Sequence, residues 1–220
     1  MPAERGRFIT LEGGEGTGKS TQTRLLVSVL NERGIAAVAT REPGGALGAE
    51  EIRQLLVTGE RGRWDPVSEM LMHFAARREH LVRTVWPAID RGEWVVSDRF
   101  ADSTRAYQGY GLGVEPDVIE RCYALSVGDF APDLTIILDL DPKTGIRRAD
   151  ARAGAENRYE RMEIGFHERV REGFLEIARR EPQRCAVASA AGGIDDVHAS
   201  IVMIVERRLG LPQPKSLLDK

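Results

Sequence analysis

The stretch Gly13-Gly14-Glu15-Gly16-Thr17-Gly18-Lys19-Ser20 decides the fold. It follows a short apolar run, Phe8–Leu11, that reads as a strand, and it opens a segment of helical period beginning near residue 19. Strand, glycine-rich turn, lysine and hydroxyl, then helix, is the GxxxxGK[ST] pattern of a phosphate loop. Each residue type has a reason. Glycines let successive backbone N–H groups turn inward around phosphate oxygens, and the helix start adds its unpaired N–H groups and positive dipole end. Lys19 is expected to bridge the β- and γ-phosphates of a bound nucleotide, and the Ser20 hydroxyl to bind Mg²⁺. A merely structural strand-to-helix turn would not require the lysine. The expected nucleotide-binding residues are therefore Gly13, Gly14, Glu15, Gly16, Thr17, Gly18, Lys19, Ser20 and Thr21.

Outward from the loop, apolar runs rich in β-branched residues alternate with longer segments of helical period. The runs are Phe8–Leu11, Ile35–Thr40, Trp94–Ser97, Leu134–Leu138 and Cys185–Ala188. Helices are expected at about 19–33, 47–58, 66–91, 115–127, 142–153, 157–181 and 194–209. Five strands separated by helices predict an α/β domain with a five-stranded, mainly parallel sheet covered by helices on both faces. A continuous apolar strand such as Thr135-Ile136-Ile137-Leu138 fits burial on both sides. Residues 1–220 read as one domain, with a frayed tail over about 211–220.

The composition is that of a soluble globular protein, with 42% hydrophobic and 30% charged residues. A formal net charge of −3 gives no reason to expect nucleic-acid or membrane binding. The 31 basic residues include only four lysines, Lys19, Lys143, Lys215 and Lys220, so a lysine carries more information here than an arginine. Cys122 and Cys185 have no metal-ligand spacing and read as reduced thiols. No apolar stretch approaches the ~20 residues needed to span a bilayer, and the N-terminal residues lack a signal-peptide core. On these features the chain is expected to be cytoplasmic.

No NKxD-like guanine-reading motif occurs, which counts against a GTPase and favours ATP. The strand Trp94–Ser97 ends in Asp98-Arg99, a carboxylate and a guanidinium delivered to the sheet edge where the loop lies. Asp98 there can hold Mg²⁺ through water, and Arg99 can clamp a transferring phosphoryl group. Asp139 and Asp141 form a second carboxylate pair, read as helix entry.

Further motifs occur in order along the chain: Thr40-Arg41-Glu42-Pro43-Gly44-Gly45, Phe74-Ala75-Ala76-Arg77, Asp98-Arg99-Phe100 and Ser103-Thr104-Arg105-Ala106-Tyr107-Gln108-Gly109. With these motifs the sequence resembles the thymidylate kinase family of P-loop nucleoside monophosphate kinases over nearly its whole length. The resemblance implies phosphoryl transfer from MgATP to dTMP in a homodimer. It implies that Glu15 accepts the nucleotide 3′-hydroxyl, that Arg99 bridges the acceptor and transferring phosphates, and that Arg77 holds the acceptor phosphate or base. Arg41 and Pro43 fall on the acceptor-pocket wall, where Glu42–Pro43 is expected to be cis. Ser103 and Thr104 fall at the thymine edge. Tyr107, beside Gln108, lies under the sugar and leaves no room for a ribose 2′-hydroxyl. The base-stacking position falls on His73 or Phe74, according to register. Gly16 stands where some members carry a loop arginine. Members without it draw that charge from a lid, here about 145–161, where Arg147, Arg148, Arg152, Arg158 and Arg161 crowd together and Arg152 and Arg158 are the best candidates. The competing expectations are a kinase for another nucleoside or monophosphate, and a P-loop switch protein without kinase activity.

Overall fold

The computed structural model describes residues 5–60, 62–151 and 158–212. Five strands, β1 (Phe8–Glu12), β2 (Ala37–Arg41), β3 (Trp94–Asp98), β4 (Leu134–Asp139) and β5 (Cys185–Ser189), form one sheet in the order β2-β3-β1-β4-β5. Every neighbouring pair is parallel. The sheet is thus wholly parallel, and the strand ends reach about one residue beyond the apolar runs. In register, Leu11 lies beside Asp98 and Glu12 beside Ile137, so the C-terminal ends of β1, β3 and β4 share one edge.

Side-chain alternation along the strands explains the two covered faces. Ile9, Leu11, Ile136 and Leu138 pack with Leu26 and Leu30 of α1 (Lys19–Glu32) and with Val197, Ile201 and Val205 of α9 (Ile194–Leu209). Phe8 and Val95 point the other way, towards Leu81, Val85, Ala88 and Ile89. Ile137 joins them on that side, against Phe166, Val170 and Phe174 of α8 (Ile164–Arg180). The remaining helices are α2 (Leu47–Val57), α3 (Pro66–His80), α4 (Trp86–Asp90), α5 (Ala101–Thr104), α6 (Pro116–Ser126) and α7 (Pro142–Asp150).

Three expectations need correction. The segment 66–91 is not one uniform helix, because Leu81–Val85 has the wider i→i+5 hydrogen bonding between α3 and α4. Residues 101–111, not expected as helix, form α5 continued by a second wide-turn stretch, Arg105–Gly111. The segment expected as helix from 157 starts only at Ile164, because Arg158 N–H turns away to bond Val57 O at 3.4 Å. At the second and third places tertiary contacts override the local sequence signal. Such wide turns frequently mark functional sites, and Arg105–Gly111 carries Tyr107 and Gln108. The tail from 213 onward lies outside the described residues.

Candidate active site

The phosphate loop runs from β1 into α1, with Gly13, Gly16 and Gly18 at φ of 133°, 67° and 89°. At Gly16 the need for glycine is also spatial. A Cβ there would lie 1.9 Å from Gly145 O, and one on Gly145 would lie 2.3 Å from Glu15 O. Helix α7 therefore docks backbone to backbone on the loop, which leaves no room for a loop arginine at this position. Lys19 is 7% exposed and lies across the loop. Its Nζ donates to Gly13 O at 3.1 Å, Gly14 O at 2.7 Å and Thr17 Oγ1 at 3.2 Å. Burial, then Arg99, brings its pKa down to about 8, against the opposing pull of Asp98, Glu15 and Glu12. Ser20 Oγ hydrogen-bonds Asp98 Oδ2. A hydroxyl and a carboxylate oxygen side by side at the loop are hard donors of the kind that suits Mg²⁺. No cluster of three acidic, His or Cys side chains with metal-ligand geometry exists among the described residues.

Beside the loop opens a cleft of about 660 Å³, including the open solvent at its mouth. Glu15, Pro43, His73, Arg77, Arg99, Ser103, Thr104, Tyr107 and Gln108 all line it. Glu15 turns away from the loop into this cleft. Its Oε1 accepts from Tyr107 OH at 2.8 Å and from Arg99 Nη2 at 3.1 Å. Burial would raise the Glu15 pKa, but Arg99 and Lys19 outweigh it and hold the group ionised below its ordinary value. Arg99 Nη1 donates to Gly13 O at 2.9 Å and to Ser103 Oγ at 3.1 Å, and its guanidinium lies 4.8 Å from the Tyr107 ring centroid. One arginine thus touches both the phosphate loop and the cleft wall.

On the far wall, Arg77 is sandwiched between the rings of Phe74 and Phe100, at 4.9 and 5.2 Å. Its Nη2 donates to Phe100 O at 3.1 Å and Thr104 Oγ1 at 3.0 Å. Glu42, whose bond to Pro43 is cis, accepts Arg77 Nε and also faces His80 Nδ1 at 2.9 Å. His73 Nε2 lies 3.0 Å from Tyr159 OH. Burial, reinforced by the charges of Arg77, Arg158 and Arg99, brings the His73 pKa down to about 3, so its ring is neutral at physiological pH.

Not every expected residue reaches the cleft. Phe74 packs in the core with Met70, Val114 and Ile119, so of the two alternatives it is His73 that faces the cleft. Arg41 is half-exposed and donates to Glu50 Oε2 at 2.9 Å. Arg158 is buried, with Nε on Leu56 O at 2.7 Å and Nη2 on Glu69 Oε2 at 2.5 Å. A buried guanidinium satisfied in this way anchors the C-terminal part of the 145–161 segment to α2 and α3. Arg152 lies outside the described residues. Asp141 caps α7 by accepting from Thr144 N at 3.0 Å, as helix entry requires, whereas Asp139 ends β4 and accepts two bonds from Arg171 of α8, an ion pair and not a cap. The sequence reading gave no side-chain role to Glu12, Glu42, Glu69 or Tyr159. Glu12, a carboxylate ending an apolar strand, and Glu42, inside the pocket-wall motif, carried a legible signal.

A phosphate loop on a parallel sheet, with a second cleft joined to it by Arg99, defines the class of P-loop phosphotransferases. The thymidylate kinase family model matches residues 11–201. The thymidylate kinase of Caulobacter vibrioides is 51% identical, covering 94% of this chain and 99% of that protein. The thymidylate kinase of Magnetococcus marinus is 46% identical, covering 93% and 97%. The crystal structure of thymidylate kinase from Ehrlichia chaffeensis superposes with a TM-score of 0.75 at 37% identity, over 92% of this chain and 99% of that one. The chain belongs to the thymidylate kinase family.

Proposed function

We propose that the cleft beside the phosphate loop holds dTMP and that the loop holds ATP, the chain being a phosphotransferase that makes dTDP. The observation that carries this reading is Arg99, which donates to Gly13 of the loop and to Glu15 and Ser103 of the cleft. A guanidinium so placed can follow charge as it moves from one site to the other.

Phosphoryl transfer leaves little covalent work for the protein, so catalysis is alignment and charge stabilisation. The loop amides and Lys19 hold the donor phosphates, and Arg99 and Arg77 hold the acceptor. Ser20 and Asp98 would hold Mg²⁺, which when bound draws charge from phosphate oxygens. No general base is needed, because a phosphate monoester is largely ionised near neutral pH. Glu15 is kept ionised to accept the sugar 3′-hydroxyl. His73, neutral, presents a flat ring to the base. Arg152 and neighbouring arginines of the lid would add charge over the transferring group. Tyr159, from the C-terminal part of the same segment, lines the cleft.

The working unit is a homodimer in the cytoplasm. In support, Val67 and Leu71 are exposed one turn apart on α3, and Leu125 is exposed on α6, which packs against it. No helix among the described residues is long and apolar enough to cross a membrane. Sedimentation of the purified protein tests the dimer, and a monomer at micromolar concentration excludes it. A coupled ADP-release assay over a panel of nucleosides and monophosphates tests the activity. Highest kcat/KM for dTMP is expected, and preference for a nucleoside or another monophosphate would transfer the reading to a different kinase.

A further inference from the structure

We propose that Glu12, the last residue of β1, is a positioning residue for phosphoryl transfer, holding the turn from Phe100 to Ser103 and, through Ser103, the guanidinium of Arg99. Glu12 is fully buried. Its Oε1 accepts from Phe100 N at 2.7 Å and Ser103 N at 3.3 Å, and its Oε2 accepts from the Ser103 hydroxyl at 2.6 Å. Because its O–H is directed at Glu12, that hydroxyl is left to accept from Arg99 Nη1 at 3.1 Å. The backbone of Arg99 is fixed from the same strand, since its N–H donates to Leu11 O at 2.9 Å.

Arg99 needs such holding. Its φ of 73° lies in the left-handed region, and it is the only non-glycine residue there among the described residues. A long side chain keeps that conformation only where its surroundings over-determine it. Glu12 and Leu11 supply the determination from one side, and Tyr107 and Glu15 supply it from the other.

The carboxylate is costly to keep there. Burial, then the charge of Asp102, raises its pKa to about 7, against the pull of Ser103, Arg99 and the Phe100 N–H. The groups facing it are Asp102 and Ser103 from α5, Arg99 from the β3 turn, Lys19 from α1 and the Cys185 thiol from β5. A fold that needed only a filled space would be served by a neutral side chain. Three donors converging on two oxygens call for the ionised form, since a proton on either oxygen would face a donor.

This inference rests on the reading of Arg99 as the clamp on the transferring phosphoryl group. The test is Glu12→Gln beside Arg99→Ala, with steady-state kinetics from pH 5.5 to 9. In Glu12→Gln, kcat is expected to fall about tenfold to a hundredfold, the scale of a misplaced catalytic group. KM for ATP is expected to stay within about threefold, because the loop contacts are untouched. The wild-type kcat profile should carry an ascending limb near pH 7 beyond the substrate's own ionisation near pH ~6, and Glu12→Gln should keep only the latter. A kcat within about twofold of wild type overturns the proposal. So does a reduced kcat with the limb near pH 7 retained, which is the mark of a merely structural role. If Glu12→Gln does not fold, the wild-type profile decides, and one described by substrate ionisation alone overturns the proposal. An Arg99→Ala enzyme with wild-type kcat instead overturns the clamp reading itself.

Discussion

Arg77 Nε donates to Glu42 Oε2 at 2.8 Å while its Nη1, equally buried, has no hydrogen-bond partner among the described residues. A buried unpaired guanidinium nitrogen is expensive and calls for an explanation. Here the residue lines the cleft, so a ligand oxygen is the natural partner. Arg77→Lys keeps the charge but loses the planar fork that serves Glu42, Thr104 and the ligand together. The Kd for dTMP is expected to rise about tenfold or more, one good charge-assisted hydrogen bond. Titration calorimetry with dTMP checks it, and unchanged affinity would give Nη1 no role in binding.

Lys19 makes a pH prediction. Its pKa of about 8 in the free protein lies below the ordinary lysine value of 10.5, because burial disfavours the cation. The folded chain therefore binds fewer protons than the unfolded one between these values, and for this group stability rises with pH across that window. Activity runs the other way. The kcat/KM for ATP reports the free enzyme and should descend above about pH 8. Bound phosphate favours the ammonium, so the matching limb in kcat should lie higher. A kcat/KM level through pH ~9.5 would remove Lys19 from phosphate binding. Lys19→Ala should abolish turnover and keep the fold.

Arg158 separates two roles that the sequence does not distinguish. A phosphate-binding arginine predicts that Arg158→Ala loses kcat at unchanged stability. The buried pair with Glu69 predicts the reverse order of effects. Both side chains are nearly inaccessible, and breaking such a pair leaves a buried charge uncompensated, at about 3–5 kcal/mol. Thermal unfolding of Arg158→Ala should show this loss, together with a raised KM for dTMP because Tyr159 shares Glu69. An unchanged Tm with lost kcat would return Arg158 to the lid.

The same contrast shows what was legible in the sequence. The loop, the parallel sheet and the Asp98-Arg99 strand end are local patterns in which each residue type is dictated by one nearby need. The cleft wall is different. Glu69, Gln108, Arg158 and Tyr159 meet through separations of up to 90 residues, and no spacing announces a buried carboxylate with three donors. The stretch from Ala101 to Gly111 escaped for a related reason. Its Asp, Ser, Thr and two Gly residues are poor helix formers. It is helical because Glu12 fixes its start and α8 packs along it.

Tyr107 tests sugar choice and clamp together. Its ring meets Tyr159, Phe166 and Phe174 edge-on at 5.4, 6.0 and 6.2 Å, so it cannot recede to admit an extra hydroxyl. Burial raises its pKa well above the usual phenol value, so the hydroxyl stays protonated and donates to Glu15. Two substitutions divide these roles. Tyr107→Phe keeps the ring, so the preference for dUMP over UMP should persist while kcat falls, because Arg99 and Glu15 each lose a partner. Tyr107→Ala should relax the preference and cost about 3–5 kcal/mol of stability, as buried aromatic deletions do. Exclusion by shape is worth about 1–3 kcal/mol, so a wild-type preference of roughly ten- to two-hundred-fold is expected from this residue. The measurement is kcat/KM for dUMP and UMP in all three proteins, with thermal unfolding alongside. Equal use of the two acceptors by wild type, or an undiminished preference in Tyr107→Ala, would take sugar selection away from this ring.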